Sequence, residues 1–273
     1  MRKVLILLLL FTMLHAEFLI ERVDVSISDI KSDGSANVHE SIKFIMYGDY
    51  SMSLYDSGIA SNDLSFWSTS TGLKDVKFHT NPATVDIRDF RLRPQPRTKC
   101  NPIQGTCHGE LILDYSAYPN YKANASSEIE PGTGLFTVEK YKPRTLRYTI
   151  NPASLSFTTT PEGNIILDDT VFLTIKLPAD SVLLDANPQP SDSIELPAYV
   201  DSLSWTDVVL VKFSLIFDVE EGIDKEVSDF FGSIITSVSN TLGSPHGIAV
   251  VVLIIILIGS YAYILMSRRR GED

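Results

Sequence analysis

Near its C-terminus the chain carries twenty consecutive residues without a charge, 247–266, and this run limits the folds open to the rest of the protein. An α-helix of that length is about 30 Å long, which matches the hydrocarbon core of a bilayer. Arg268, Arg269 and Arg270 follow at once, and positive charge beside a membrane helix stays on the cytoplasmic side. We therefore expect one transmembrane helix over 247–266, a cytoplasmic tail over 267–273 and the preceding bulk outside the cell.

The N-terminus has the pattern of a secretory signal peptide, with Arg2 and Lys3 ahead of an apolar stretch that runs to Leu14. Ala16 supplies the small residue expected before a cleavage site. The apolar stretch has only about a dozen residues, whereas a helix needs about 20 to span a bilayer. The two ends together predict a signal peptide over 1–16 and a single-pass type I protein of the cell membrane.

Composition narrows the class of protein. The chain has 273 residues, of which 44% are apolar and 21% charged, and this balance excludes an intrinsically disordered chain. Its 34 acidic residues outnumber 23 basic ones, for a net charge of −11. A nucleic-acid-binding protein needs the opposite balance to neutralise phosphates, so we expect a membrane and no nucleic acid among the partners.

The region between the two ends has the alternating pattern of β-strands. Val23, Val25 and Ile27 alternate with polar residues, as on a half-buried strand. A turn is predicted at Asp33-Gly34-Ser35, because an Asp-Gly pair supplies the positive φ of a tight hairpin. Apolar residues then recur at every second position from 36 to 46, apart from position 40. Further strands are predicted over 64–67, 76–79, 84–92, 110–115, 135–140, 145–150, 171–177, 181–184 and 208–220.

Short strands separated by proline and glycine predict an all-β protein of one or two β-sandwich modules of Ig-like type. If there are two, the first spans 17–152 and the second 153–221, with the hinge in 152–163. One larger sandwich is the alternative. Trp67 and Trp205 both stand in strand-like surroundings and are expected in a core.

From residue 222 the apolar period changes to three and four residues, which predicts an amphipathic helix over 222–243. Helices on membrane surfaces carry Lys and Arg on their polar face, and this one has only Lys225. We therefore expect a stalk whose apolar stripe packs on the β region, on a protein partner or on a second copy in a homo-oligomer. The stripe includes Val227, Phe230, Phe231, Ile234, Ile235 and Val238.

The chain has two cysteines, Cys100 and Cys107, a short loop apart. In an exported protein this spacing predicts a disulfide, which would stabilise the fold by about 2–3 kcal/mol. A structural zinc site needs four ligands, and His108 is the only ligating neighbour. We expect neither a metal nor a cofactor.

Two surface features are predicted in the segment 115–126. Asn124 begins the only Asn-x-Ser/Thr sequence with a permitted middle residue, which makes it a candidate glycosylation site in a host that has that pathway. Tyr115, Tyr118 and Tyr121 are predicted in a loop, where exposed tyrosines make good binding anchors. The alternative is that they are ordinary residues at the end of a sandwich.

No motif in the sequence indicates an enzyme. The histidines form no i, i+4 pair and no His-Glu-x-x-His arrangement, and no Gly-x-Ser-x-Gly elbow is present. Glu40 is the one carboxylate on the apolar face of a predicted strand. We expect it at a strand edge or paired with a lysine, and a functional carboxylate is the alternative.

The opening hairpin resembles that of uncharacterised archaeal and other prokaryotic membrane-anchored ectodomain families. The residues that carry the resemblance are the Asp33-Gly34-Ser35 turn with Val38, Glu40, Ile42 and Phe44, and more weakly the segments 142–148 and 203–205. The resemblance implies an architecture of signal, β region, stalk and span. It implies no activity.

These patterns lead to the expectation of a non-enzymatic cell-surface protein. Its acidic β ectodomain would have a structural, adhesive or partner-binding role. A membrane-anchored hydrolase acting on glycans or peptides is the first alternative, with catalytic residues distant in sequence. An accessory subunit of a membrane complex is the second.

Overall fold

The structure is a computed structural model, and it describes residues 16–120, 134–192 and 194–220. The predicted signal peptide lies outside these ranges up to residue 15, as do the predicted stalk over 222–243, the predicted span over 247–266 and the predicted tail over 267–273. Within the ranges that are described, no helix combines the length and the apolar character needed to cross a membrane.

The described residues are mostly β-structure, which confirms the all-β class. The long strands follow the predicted alternation of buried and exposed side chains, because one face of each is covered by the core. In chain order the elements are β1 (Glu17–Ser28), β2 (Ala36–Tyr47), α1 (Gly48–Gly58), α2 (Leu64–Thr71), β3 (Val85–Pro94), β4 (Thr98–Asn101), β5 (Thr106–Pro119), β6 (Phe136–Lys142), β7 (Thr145–Ile150), a 3-10 turn (Pro152–Ser154), β8 (Thr158–Thr159), β9 (Ile165–Leu167), β10 (Val171–Lys176), β11 (Ser181–Asn187), β12 (Ala198–Tyr199), β13 (Ser202–Trp205), β14 (Val208–Leu210) and β15 (Ser214–Glu220).

The main sheet has seven strands in the order β13-β10-β1-β2-β5-β3, with β4 also paired to β5. All pairs are antiparallel except β1 with β10, which is parallel. A second sheet runs β12-β11-β15-β7-β6, and a small third sheet runs β14-β9-β8. The main sheet is therefore the broad surface of the described region, and β3 is its edge on one side.

The predicted division into modules 17–152 and 153–221 is not seen. β10 pairs with β1 and β15 pairs with β7, so strands from both sides of residue 152 share two sheets. The buried apolar side chains form one cluster that draws on both. The described residues are one compact unit, because strands before and after the connection at 152–163 pair with each other through their backbones.

The segment 64–67, predicted as a strand, is the first turn of helix α2. Asp63 caps this helix by accepting a hydrogen bond from the Ser65 backbone N–H at 2.9 Å. Gly72 ends it in the left-handed conformation at φ +66°. Trp67 is buried as expected, but on a helix. The strand predicted over 76–79 is also wrong, since these residues form an irregular segment with bends.

Helix α1, which the sequence reasoning did not predict, packs on the main sheet through Tyr55. The ring of Tyr55 lies 5.7 Å from that of Phe44 on β2 and 5.2 Å from that of Trp67 on α2. Its hydroxyl donates to the backbone carbonyl of Gln95 at 2.5 Å and also contacts that of Glu110 at 3.1 Å. One side chain thus ties both helices to β2, β5 and the end of β3.

The predicted turn at Asp33-Gly34-Ser35 is confirmed. Gly34 has φ +81°, and the Asp33 carboxylate accepts hydrogen bonds from the backbone N–H and the hydroxyl of Ser35. Gly34 also lies against the second sheet, since a Cβ built on it would come within 2.4 Å of the carbonyl oxygen of Phe136. The residue must be glycine for two separate reasons.

The variant Gly34→Ala is expected to destabilise the fold more than Gly163→Ala. Gly163 has a similar φ of +84° but no atom within 4 Å of an added Cβ, so it shares the left-handed strain of about 1–2 kcal/mol without the close approach. Urea unfolding should give Gly34→Ala a free energy of unfolding about 1–3 kcal/mol lower than Gly163→Ala. Equal losses would show that the approach to Phe136 costs nothing.

Candidate functional site

Glu40 lies at the middle of the main sheet with its side chain in the core. β2 is flanked by β1 and β5, and Glu40 shares the inward face with Val38 and Ile42. Its exposed fraction is 0%. The expectation of a strand-edge or lysine-paired carboxylate is therefore wrong, because β2 is an interior strand and position 40 has the inward parity of its apolar neighbours.

The Glu40 carboxylate is bound by three groups. One oxygen accepts hydrogen bonds from the His79 backbone N–H at 3.0 Å and from the Tyr115 hydroxyl at 2.5 Å. The other lies 2.8 Å from Nδ1 of the His79 ring, which places the ring proton on Nδ1 when Glu40 is ionised. The Thr80 hydroxyl lies 3.0 Å from that of Tyr115 and completes the cluster.

None of the four side chains in this cluster reaches solvent. Glu40, His79, Thr80 and Tyr115 are each 3% exposed or less, and the Phe157 ring lies 5.1 Å from that of His79. Nε2 of His79 has no hydrogen-bond partner within the described part of the chain. The cluster can hold the 79–80 segment and β5 to β2, but in this conformation no substrate can meet it.

Burial also governs the ionisation of two tyrosines. Burial raises the pKa of Tyr115 well above its ordinary value, and the adjacent Glu40 carboxylate raises it further. Tyr115 therefore remains a hydrogen-bond donor to Glu40. Burial likewise raises the pKa of Tyr55 to about 12.

Removal of the Glu40 carboxylate should be strongly destabilising. Glu40→Ala leaves buried donors of His79 and Tyr115 unpaired, and we expect a loss of about 3–5 kcal/mol. Tyr115→Phe should cost about 1–3 kcal/mol. Glu110→Ala is the matched control, because Glu110 lies on the outward face of β5 and should change the free energy of unfolding much less. Similar losses for Glu40→Ala and Glu110→Ala would contradict the role of the buried cluster.

Stability should fall at alkaline pH through the two buried tyrosines. Their folded pKa values are raised, so their contribution is complete below the pKa of an unfolded tyrosine, about 10, and is lost as pH rises toward 12 and beyond. Urea unfolding at a series of pH values should show a smaller decline in Tyr115→Phe than in the parent. Tyr199→Phe is the control, since Tyr199 is 79% exposed, and an equal flattening there would refute the assignment.

The outward face of the main sheet carries a polar groove of about 390 Å³. Its wall is built by neighbouring strands, with a contribution from the end of β1. The lining residues are Ser28, Asn37, Val38, His39, Asp89, Arg91, Arg93, Asp114, Tyr115 and Ser116. It lies on the side of the sheet opposite the Glu40 side chain, because His39 and Asp114 have the parity opposite to that of Glu40. Val38 and Tyr115, whose side chains face the core, line only its floor between them.

A break in the register of β3 shapes this groove. The pairing of β3 with β5 shifts between Arg88 and Arg91, and Asp89 in the break has φ +54°. Phe90 turns toward the core, where its ring packs 4.9 Å from that of Phe78. The break interrupts the regular backbone pairing of β3 with β5. Asp89 and Arg91 both line the groove at this point.

Asp114 is the most strongly held charge in the groove. Nδ1 of His39 lies 2.7 Å from one carboxylate oxygen, and the Arg93 guanidinium binds the other. Burial alone would raise the pKa of Asp114, but these hydrogen bonds and the positive charge of Arg93 lower it below its ordinary value. Asp114 is therefore ionised at neutral pH, with its charge already paired with that of Arg93.

The predicted tyrosine patch does not form as expected. β5 extends to Pro119, so Tyr115 and Tyr118 are on a strand and, being three residues apart, lie on opposite faces. Tyr115 is buried, whereas Tyr118 is half-buried with the Arg88 guanidinium 4.6 Å from its ring centre. Tyr121 lies outside the described residues.

Of the other predicted site residues, the structure describes the two cysteines but not Asn124 or the stalk. Cys100 on β4 is bonded to Cys107 on β5, as the spacing predicts. Among the residues described, no group of three His, Cys, Asp or Glu side chains could hold a metal ion. Asn124 and the stalk residues lie outside the described residues: Val227, Phe230, Phe231, Ile234, Ile235 and Val238.

Sequence reasoning missed the groove. A signal was present in β3, where Asp86-Ile87-Arg88 is followed at once by Asp89-Phe90-Arg91. On a regular strand each unit would place its two charges on one face, but the two units, three residues apart, would face opposite sides of the sheet. Only the register break in the fold brings Asp89 and Arg91 to the face that carries His39 and Asp114.

No family model and no curated protein matches the chain. Among solved structures, native LTA4 hydrolase from yeast aligns with 74% of the chain at 8% identity and a TM-score of 0.32, and the chain spans 29% of that protein. The folded domain of Mycobacterium tuberculosis LppM aligns with 74% of the chain and 90% of its own length, at 13% identity and a TM-score of 0.21. Likenesses this weak carry no argument about function.

Proposed function

We propose that this chain is an exported, single-pass membrane protein whose acidic β ectodomain binds a ligand or partner outside the cell. The polar groove on the outward face of the main sheet is the observation that carries the binding role. It is concave and of the size of a small-molecule site, and polar groups from several strands converge on it.

Three observations support the outside location. The Cys100–Cys107 disulfide is the kind of bond that persists in an oxidising compartment. The basic-apolar start of the chain supports export. The apolar run over 247–266 with its three following arginines supports one membrane span and a cytoplasmic tail.

The proposal includes an Ig-like packing of the two larger sheets face to face. Its support is the single cluster of buried side chains, which includes residues of both sheets. The close approach of Gly34, in the turn that joins β1 to β2, to Phe136 on β6 is a second support. The stalk over 222–243 would then raise this unit from the membrane and offer its apolar stripe to a partner or a second copy.

A binding role is better supported than hydrolysis. The Glu40–His79 pair has the chemistry of a catalytic pair, but both side chains are buried. The His39–Asp114 pair does line the groove, with Ser28 and Ser116 nearby. A hydrolase would need a nucleophile within hydrogen-bond reach of the histidine, and within the described ranges the Ser116 hydroxyl instead donates to Asn37.

The location can be tested in intact cells that express the full chain. External protease should degrade the β unit, and a variant that ends at residue 246 should appear in the medium with Cys100 and Cys107 linked in non-reducing mass mapping. A full chain with all three arginines 268–270 changed to Ser is the control, since it should keep its membrane association through the apolar run. If the variant ending at 246 stayed in the membrane, or the β unit resisted protease in intact cells but not in lysed ones, the proposal would fail.

A further inference from the structure

The two Asp-x-Arg units of β3 have the same spacing, but only the first forms an internal ion pair. In the first, the Arg88 guanidinium lies 2.7 Å from the Asp86 carboxylate and binds it. In the second, Asp89 and Arg91 form no ion pair and no hydrogen bond, with each other or with any other residue of the described ranges. The register break between Arg88 and Arg91 separates the second pair.

Arg91 differs from the other arginines whose pairing the structure gives. Arg22, Arg88, Arg93, Arg97 and Arg147 each form an ion pair with an aspartate. Arg91 is exposed on the groove without such a partner among the described residues. A guanidinium presents its donors in a fork that fits a carboxylate bidentately, so Arg91 can bind one carboxylate from outside.

Asp89 provides the complementary charge. Asp89 lines the same groove and forms no ion pair within the described ranges, where Arg88 attracts its charge without pairing with it. It would repel a ligand with several negative charges. Asp114 would do the same, except that the Arg93 guanidinium already neutralises it. The groove thus has one positive and one negative group available, which matches a ligand that carries one of each.

We propose that the groove binds an amino-acid-type zwitterion, with its carboxylate on Arg91 and its ammonium on Asp89. The volume of about 390 Å³ accommodates a small molecule of this class. The inference deepens the proposed binding function and rests on it for its biological setting. The binding itself can be measured whether or not the protein is displayed at the cell surface.

The test uses the purified full-length protein in detergent and isothermal titration with four probes. Glycine and 4-aminobutyrate carry both charges at different separations, acetate has only the carboxylate, and methylamine has only the ammonium. We expect at least one zwitterion to bind at least tenfold more tightly than either singly charged probe. Equal affinities for acetate and the zwitterions would overturn the proposal, as would binding of no probe.

Two variants and two matched controls assign the contacts. Arg91→Gln and Asp89→Asn should each weaken zwitterion binding by about tenfold or more, because each removes a charge-assisted hydrogen bond. Arg22→Gln and Asp24→Asn remove the same charges from an internally paired unit on β1, outside the groove lining, and should leave the affinity unchanged within about twofold. Equal losses in the two sets would overturn the assignment to Asp89 and Arg91.

The outcomes separate this inference from the broader function. If the parent protein is displayed at the cell surface but binds no zwitterion, only the proposed ligand class is refuted. Zwitterion binding by a protein found inside the cell would support the ligand class and refute the proposed location. Circular dichroism of each variant identifies any that fail to fold, and the exposed positions of Asp89 and Arg91 favour folded variants.

Discussion

The buried Glu40 carboxylate is the interaction on which the described unit depends. A carboxylate at the centre of a sheet is very costly unless donors surround it, and His79 and Tyr115 provide them. His79 lies in a turn region between α2 and β3, with no strand pairing of its own beyond the single bridge at Thr80. The carboxylate therefore specifies where this irregular segment lies on β2 and β5, a task that apolar packing alone would leave less determined.

The same central strands position the candidate binding groove on the other side of the sheet. Alternation along β2 and β5 sends Glu40 and Tyr115 inward and His39 and Asp114 outward. β3 adds its two Asp-x-Arg units at the edge, and its register break lies at the second unit, whose Asp89 and Arg91 line the groove without an ion pair among the described residues. The packing of Phe90 on Phe78 gives a physical reason for the break. Core packing and the chemistry of the outer face are thus coupled through one strand.

The all-β class, the Asp33-Gly34-Ser35 turn and the Cys100–Cys107 disulfide could all be predicted, because each depends on residues close together in the chain. The prediction failed where a local pattern had two solutions. The segment 64–67 is short and apolar enough for a strand, but the Asp63 cap and Gly72 make it helical. The alternation predicts a strand only as far as Tyr115, whereas β5 continues to Pro119 and takes Tyr118 with it.

The primary structure alone determined the strand periodicity, the turn and the predicted export and membrane segments, since these follow from neighbouring residues and from hydrophobic length. Only the tertiary structure decided that strands on both sides of residue 152 share two sheets, that Glu40 is buried, and that Asp89 and Arg91 stand unpaired beside His39 and Asp114. The reason is that strand partners come from anywhere in the chain. A change of one residue in register exchanges the inward and outward faces, so the surroundings of each side chain depend on pairings that no local pattern contains.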